Sequence, residues 1–179
     1  MNSNQQISIL QYNLNRSQYT TQSLLNHPNS KKLAILAIQE QYCSPRTGMS
    51  LPHQSWTIIE TPSPEHDKKP RAAIYVNKRI LPAKSFQALH YPSSHITMIQ
   101  LKTDEASLPM LIINIYNTKG TTLINAFATF LRTHLQHHRY DAIAMVGDFN
   151  LHHPCGIPQI ITPITKKLNT LSISWQQMG

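Results

Sequence analysis

Acidic residues are scarce in this chain. Glu40, Glu60, Glu65, Asp67, Asp104, Glu105, Asp141 and Asp148 are all it has, against 16 lysines and arginines, which leaves a formal net charge of +8. Any divalent-cation chemistry must draw on that short list, because hard cations need oxygen ligands. The positive excess suits a polyanionic partner such as nucleic acid, although a generally basic protein would have the same balance. Cysteine is scarcer still. Cys43 and Cys155 stand far apart without CxxC spacing, so neither a zinc site nor a disulfide framework follows. A reducing compartment, nucleus or cytoplasm, is the expectation. The polar start MNSNQQ carries no signal for secretion, and the apolar run at residues 33–38 (LAILAI) is far too short to span a membrane. No membrane partner and no protein partner is expected.

What is present is a succession of short strand-like runs. At 179 residues and 40% hydrophobic, the chain is long enough for one domain with a substantial core. Residues 7–12 alternate, with Ile7 and Ile9 on one face and Leu10 and Tyr12 on the other. Residues 33–39 (LAILAIQ) form a continuous apolar run of strand length, expected to be buried on both faces. Further strands are read at 56–60, 72–76, 85–89, 95–101 and 110–116, the last two joined as a hairpin by the loop at 103–108. Residues 19–26 read as a short helix ending before Pro28. Thr122 caps a clearer one, in which Leu123, Phe127, Phe130, Leu131 and Leu135 make one apolar stripe. His137, His138 and Arg139 close it, and positive charge suits that end of a helix. Residues 61–70 (TPSPEHDKKP) read as a surface loop, with Lys68, Lys69 and Arg71 as candidate phosphate contacts.

The stretch at 142–154, AIAMVGDFNLHHP, gathers the most chemistry. Residues 142–146 read as a strand buried on both faces, and Gly147 breaks it. Asp148 and Asn150 follow two apart, so in extended chain their side chains share one direction. The carboxyl ends of strands are where α/β proteins bind ligands. An Asx turn leaving a strand would use the same residues. Three other strand ends repeat the pattern. Asn13, Asn15 and Arg16 follow the first, although Ser17 could equally cap a helix there. Glu40 follows the second and has no basic residue close in sequence, which lowers the odds of a local salt bridge. Tyr116 ends the strand at 110–116, where an aromatic packed under a loop would look the same. Together these residues match what phosphodiester cleavage asks for. A metal needs a hard oxygen ligand, the phosphate needs donors aimed at its developing charge, and protons need a carrier.

QYNLNR (11–16), IQE (38–40), INIYN (113–117) and VGDFN (146–150), in that order, resemble the motifs of the exonuclease–endonuclease–phosphatase superfamily. RAAIYV (71–76) is similar to that family's strand before its mid-domain hairpin. The amide at Asn15 and the HHP directly after GDFN resemble in particular the endonuclease domain of LINE-type (non-LTR) retrotransposons. The resemblance covers roughly residues 7–154. It implies a DNase-like α/β fold, a four-layer α/β/β/α sandwich, and a phosphodiesterase that nicks DNA with Mg2+ or Mn2+. Carried over motif by motif, Glu40 would be the main metal ligand and Asn13 would orient the phosphate or a metal-bound water. Tyr116 would hydrogen-bond the scissile phosphate. Asp148 would assist the nucleophile or protonate the leaving oxygen, and Asn150 would stabilise the phosphate. Asn15, Arg16 and His153 would contact substrate, Asn15 standing where some relatives carry a second acidic metal ligand.

The resemblance breaks off after Pro154. The family's final strands bear a Ser-Asp-His signature, and residues 155–179 contain no Asp, Glu or His. The expectation is a partial domain over 1–156 and a divergent tail over 157–179, with one further strand read at 171–175. The last strands of the second sheet would then be missing and a sheet edge left open. Loss of a positioned general base typically costs about 10²–10⁴ in rate, so the resemblance also implies an inactive or weakened domain. The alternatives are a non-catalytic remnant that binds nucleic acid weakly and in a salt-dependent way, and a phosphatase acting on small phosphoesters.

Overall fold

The computed structural model describes residues 7–61, 69–102, 107–118 and 123–150. The first sheet runs β1 (Ile9–Asn13), β2 (Ile35–Gln39), β4 (Ala72–Asn77), β3 (Trp56–Glu60). The second runs β5 (Phe86–Leu89), β6 (Ile96–Leu101), β7 (Met110–Tyr116), β8 (Ala142–Asp148). β1 pairs parallel with β2, and β7 pairs parallel with β8; the other neighbours are antiparallel. A parallel pair needs a crossover rather than a tight turn. Helices α1 (Gln18–Asn26) and α2 (Leu123–His137) supply the two crossovers. Ser17 caps α1, its hydroxyl accepting from the Thr20 amide at 3.1 Å.

Strand alternation sorts the apolar residues into layers. On β2, Ile35 and Ala37 join Ile74, Ile99, Ile112 and Val146 between the sheets. Leu36 and Ile38 point the other way and pack with Leu24 and Leu25 of α1. On β7, Leu111, Ile113 and Ile115 lie under Phe127 of α2. The result is helix, sheet, sheet, helix, as the resemblance implied. Each aliphatic chain buried this way stabilises the fold by about 1.5–3 kcal/mol before entropy is counted.

Two readings of the stretch at 142–154 are corrected. β8 is an edge strand among the described residues, so only its inward face, Ala144 and Val146, is buried. Gly147 does not break it. The ladder continues through Ile115↔Gly147 to Tyr116↔Asp148, and the glycine is needed because the backbones approach closely. A Cβ at Gly147 would lie 1.9 Å from the Ile115 carbonyl oxygen, at a φ of +139°. β1 and β3 are the edge strands of the other sheet among the described residues. Thr122 and the tail at 151–179, with the strand read at 171–175, lie outside the described residues. Among the described residues no helix is long and apolar enough to cross a membrane.

Toward the carboxyl ends of β2 and β7 the inter-sheet core changes character. Gln39 and Asn114 are both fully buried there. Asn114 Nδ2 donates to the carbonyls of Ile38 and Ala73, each at 2.8 Å. Gln39 Nε2 donates to Asn114 Oδ1, and Gln11 Nε2 donates to Gln39 Oε1. Buried amides that satisfy one another across two sheets fix their relative register, since an apolar core alone would tolerate sliding. This layer sits directly beneath the polar strand ends.

Candidate active site

Strand register assembles the polar residues. Asn13 is opposite Gln39 in the β1–β2 ladder, and Gln39 is opposite Ala72 in the β2–β4 ladder. One step further, Glu40 faces Arg71, with the Glu40 amide donating to the Arg71 carbonyl at 2.9 Å. In the second sheet Tyr116 is opposite Asp148. The two sheets then touch through side chains. Asn13 Nδ2 donates to Asp148 Oδ2 at 3.1 Å, and the Tyr116 phenol lies close enough to the Glu40 carboxylate to feel its charge. Residues 135 positions apart thus share a hydrogen bond. The fold brings Asn13, Glu40, Tyr116 and Asp148 together at one end of the sandwich.

The Asx-turn reading of the strand end at Asp148 holds, and Asn13 repeats it. The Asn150 amide donates to Asp148 Oδ1 at 3.1 Å, and the Asn15 amide donates to Asn13 Oδ1 at 2.9 Å. Each is an Asx turn, and each turn holds its own side chain in place for the contact between them. Asn150 Nδ2 also donates to the Asn117 carbonyl, while Asn117 Nδ2 donates to the Phe149 carbonyl at 2.8 Å. Among the described residues every non-glycine with positive φ belongs to this end: Asn15 (46°), Arg16 (57°), Glu40 (48°) and Asn150 (46°). Left-handed backbone at arginine and glutamate is sterically costly and persists only where surrounding structure enforces it.

Glu40 is paired, by arginines distant in sequence rather than local ones. Its Oε1 lies 2.8 Å from Arg71 Nη1 and 3.4 Å from Arg16 Nη2. Burial, and then the charge of Glu40, push the Tyr116 phenol above its ordinary pKa. Tyr116 therefore stays a protonated donor throughout the neutral range. The His95 ring stacks beside it, 6.0 Å between centroids at 13°, and the Arg71 guanidinium lies 5.9 Å from the Tyr116 ring centre. A cleft of about 720 Å³ opens from Glu40 and is lined by Arg16, Tyr42, Lys69, Arg71 and His95 among others. Its walls carry more positive than negative side chains, as a phosphate-bearing ligand would require.

Asn15 is exposed on its turn, to which it contributes its backbone amide. His153 and Lys68 lie outside the described residues. His95 and Asn117 were not singled out from sequence. His95 had no signal there, because its place beside Tyr116 comes from the β6–β7 pairing: the Tyr116 amide donates to the His95 carbonyl at 2.8 Å. Arg71 carried a signal only as part of a basic loop. Its pairing with Glu40 follows from the register of β2 against β4.

The donor set suits one kind of cation. No three His, Cys, Asp or Glu side chains converge among the described residues, so a site of the zinc type is not built there. The Glu40 carboxylate, with the Tyr116 phenol beside it, offers hard oxygen donors. Mg2+ keeps several waters and is commonly held by one or two carboxylates together with substrate phosphate, so Glu40 fits it.

The comparisons with known proteins accord with this architecture. The endonuclease domain of TRAS1, a telomere-specific non-LTR retrotransposon, superposes with a TM-score of 0.54 at 18% identity, over 78% of this chain and 57% of that domain. The fold is DNase I-like. The AP endonuclease LMAP from Leishmania major also aligns, at 15% identity over 79% of this chain and 54% of that one, with a TM-score of 0.48 that adds nothing to the assignment. No protein-family model and no curated protein matches the sequence. This DNase I-like chain spans a little over half the length of the TRAS1 domain it matches.

Proposed function

We propose that the chain is a metal-dependent phosphodiesterase domain of retrotransposon origin whose substrate is DNA, with Glu40 holding Mg2+ or Mn2+. The observation that carries the reading is the Asn13–Asp148 hydrogen bond at 3.1 Å, because it joins the two sheets at the residues expected to act on one phosphate. When bound, the cation supplies charge at the scissile phosphate. The chain's own residues do the rest. The protonated Tyr116 donates to a phosphate oxygen, and Arg16, Lys69 and Arg71 hold the polyanion in the cleft. Asn13 and Asn150 orient Asp148, whose carboxylate moves the proton of the attacking or leaving oxygen. Asn15 and His153 are assigned to substrate contact on the resemblance alone.

The test is Mg2+-dependent nicking of supercoiled plasmid by the 179-residue chain. Nicking that Glu40→Ala abolishes supports the reading, and equal nicking by both proteins refutes it. A second reading, a nucleic-acid binder without turnover, is favoured by the excess of 16 lysines and arginines over 8 acidic residues. It predicts salt-sensitive duplex binding with no nicking in either cation, and measurable turnover would exclude it.

A further inference from the structure

We infer that Arg71 is a movable counter-ion, neutralising Glu40 when no cation is held there and passing to a DNA phosphate when one is. The inference rests on Glu40 as the cation ligand. Its geometric basis is independent of that. Arg71 is locked at its backbone, its amide donating to the Ser94 carbonyl at 2.7 Å and its carbonyl accepting from Glu40 at 2.9 Å. Its side chain is 30% exposed at the rim of the cleft, against 14% for Glu40. The two guanidiniums on Glu40 converge on one oxygen, Oε1, so one carboxylate is over-compensated by two cations. The Arg16 contact is the looser, at 3.4 Å with a side chain 58% exposed, and constrains Glu40 little; the Arg71 contact at 2.8 Å is the one a third positive charge at that carboxylate must displace, and as a partly exposed ion pair it breaks at modest cost. Rotation about the Arg71 side-chain torsions moves the guanidinium off Glu40 without moving the sheet. Its fork geometry matches a phosphate as well as a carboxylate. The Tyr116 ring beneath it gives a surface to slide across.

A fixed structural salt bridge predicts the opposite response to mutation. Removing a structural partner loosens Glu40 and leaves cation affinity equal or weaker, whereas removing a competing counter-ion makes it tighter. The experiment measures free Mn2+ by electron paramagnetic resonance during titration of the full chain, at constant ionic strength, for wild type, Arg71→Gln, Arg71→Lys and Glu40→Gln. A labelled duplex is titrated with salt in parallel, with Mn2+ and with EDTA. The expected result is Mn2+ binding about fivefold tighter in Arg71→Gln and near wild type in Arg71→Lys, the scale of one partly exposed ion pair. The salt slope of duplex binding should fall by about 0.9 in Arg71→Gln with Mn2+ present, and not in EDTA. Equal or weaker Mn2+ binding by Arg71→Gln, with wild type still binding through Glu40, overturns the counter-ion and leaves the cation site standing. Mn2+ binding that Glu40→Gln leaves unchanged, or none in wild type, overturns both.

Discussion

Gly147→Ala perturbs fold and site together, and its cost can be worked from the geometry. The residue has a φ of +139°, and an added Cβ would lie 1.9 Å from Ile115 O and 2.7 Å from Ile115 N. Neither atom is a flexible side chain, so the backbone itself must give. Holding alanine in that conformation costs about 1–3 kcal/mol. Withdrawing β8 from β7 to relieve the clash breaks the ladder at Ile115↔Gly147 and Tyr116↔Asp148. Each lost backbone hydrogen bond costs about 1 kcal/mol, for a total of about 3–5 kcal/mol. At roughly 2–4 °C per kcal/mol for a chain of this size, Tm should fall by about 10 °C. The same withdrawal moves Asp148 away from Asn13. Urea unfolding followed by circular dichroism gives the stability, and the Asn13 side-chain amide resonance reports the contact. A variant within about 1 kcal/mol of wild type that keeps the Asn13 resonance in place would refute the close-approach argument.

Three further outcomes are expected. Asn114→Ala leaves Gln39 Nε2 only its longer bond to the Ala37 carbonyl at 3.3 Å and removes the side-chain donor from the Ile38 and Ala73 carbonyls, so it should cost about 2–4 kcal/mol in urea unfolding, while a loss under 0.5 kcal/mol would show that the amide layer is dispensable. Phe127 is 2% exposed and Leu135 is 37% exposed on the same helix, so Phe127→Ala should cost about 3–5 kcal/mol and Leu135→Ser within about 0.5 kcal/mol; similar losses would disprove the docked face of α2. Burial, and then the neighbouring His138, lower the pKa of His134, whose ring also bonds the Tyr140 hydroxyl at 2.7 Å. The unfolded chain then takes up that proton first, so stability falls as pH drops below about 6.5 and through the lower folded value. His134→Gln should flatten the fall between pH 7 and 5, and an unchanged pH profile would count against it.

Much of the fold was legible in residue pattern because burial acts on short periods. The run at 33–39 became β2 with every residue of Ile35–Gln39 buried, and MLIINIY became β7 at the bounds read for it. The apolar stripe of α2 from Leu123 to Leu131 and the cap at Ser17 are likewise local physics, but Leu135, read into the same stripe, is 37% exposed because the helix runs past the sheet it packs on. Asn13, Glu40, Tyr116 and Asp148 could be named from strand ends and motif resemblance. What pattern could not reveal is which strand lies beside which. That pairing puts Arg71, 31 positions away, on Glu40, and His95 on Tyr116. It also makes β8 an edge strand and turns Gly147 from an apparent break into a point of backbone contact. Alternation and capping are set by neighbours in sequence, so the chain alone determines them. Ion pairs across strands, ring stacking and close backbone approach depend on register and sheet packing, and those are decided only when the two sheets close over the Gln39–Asn114 layer.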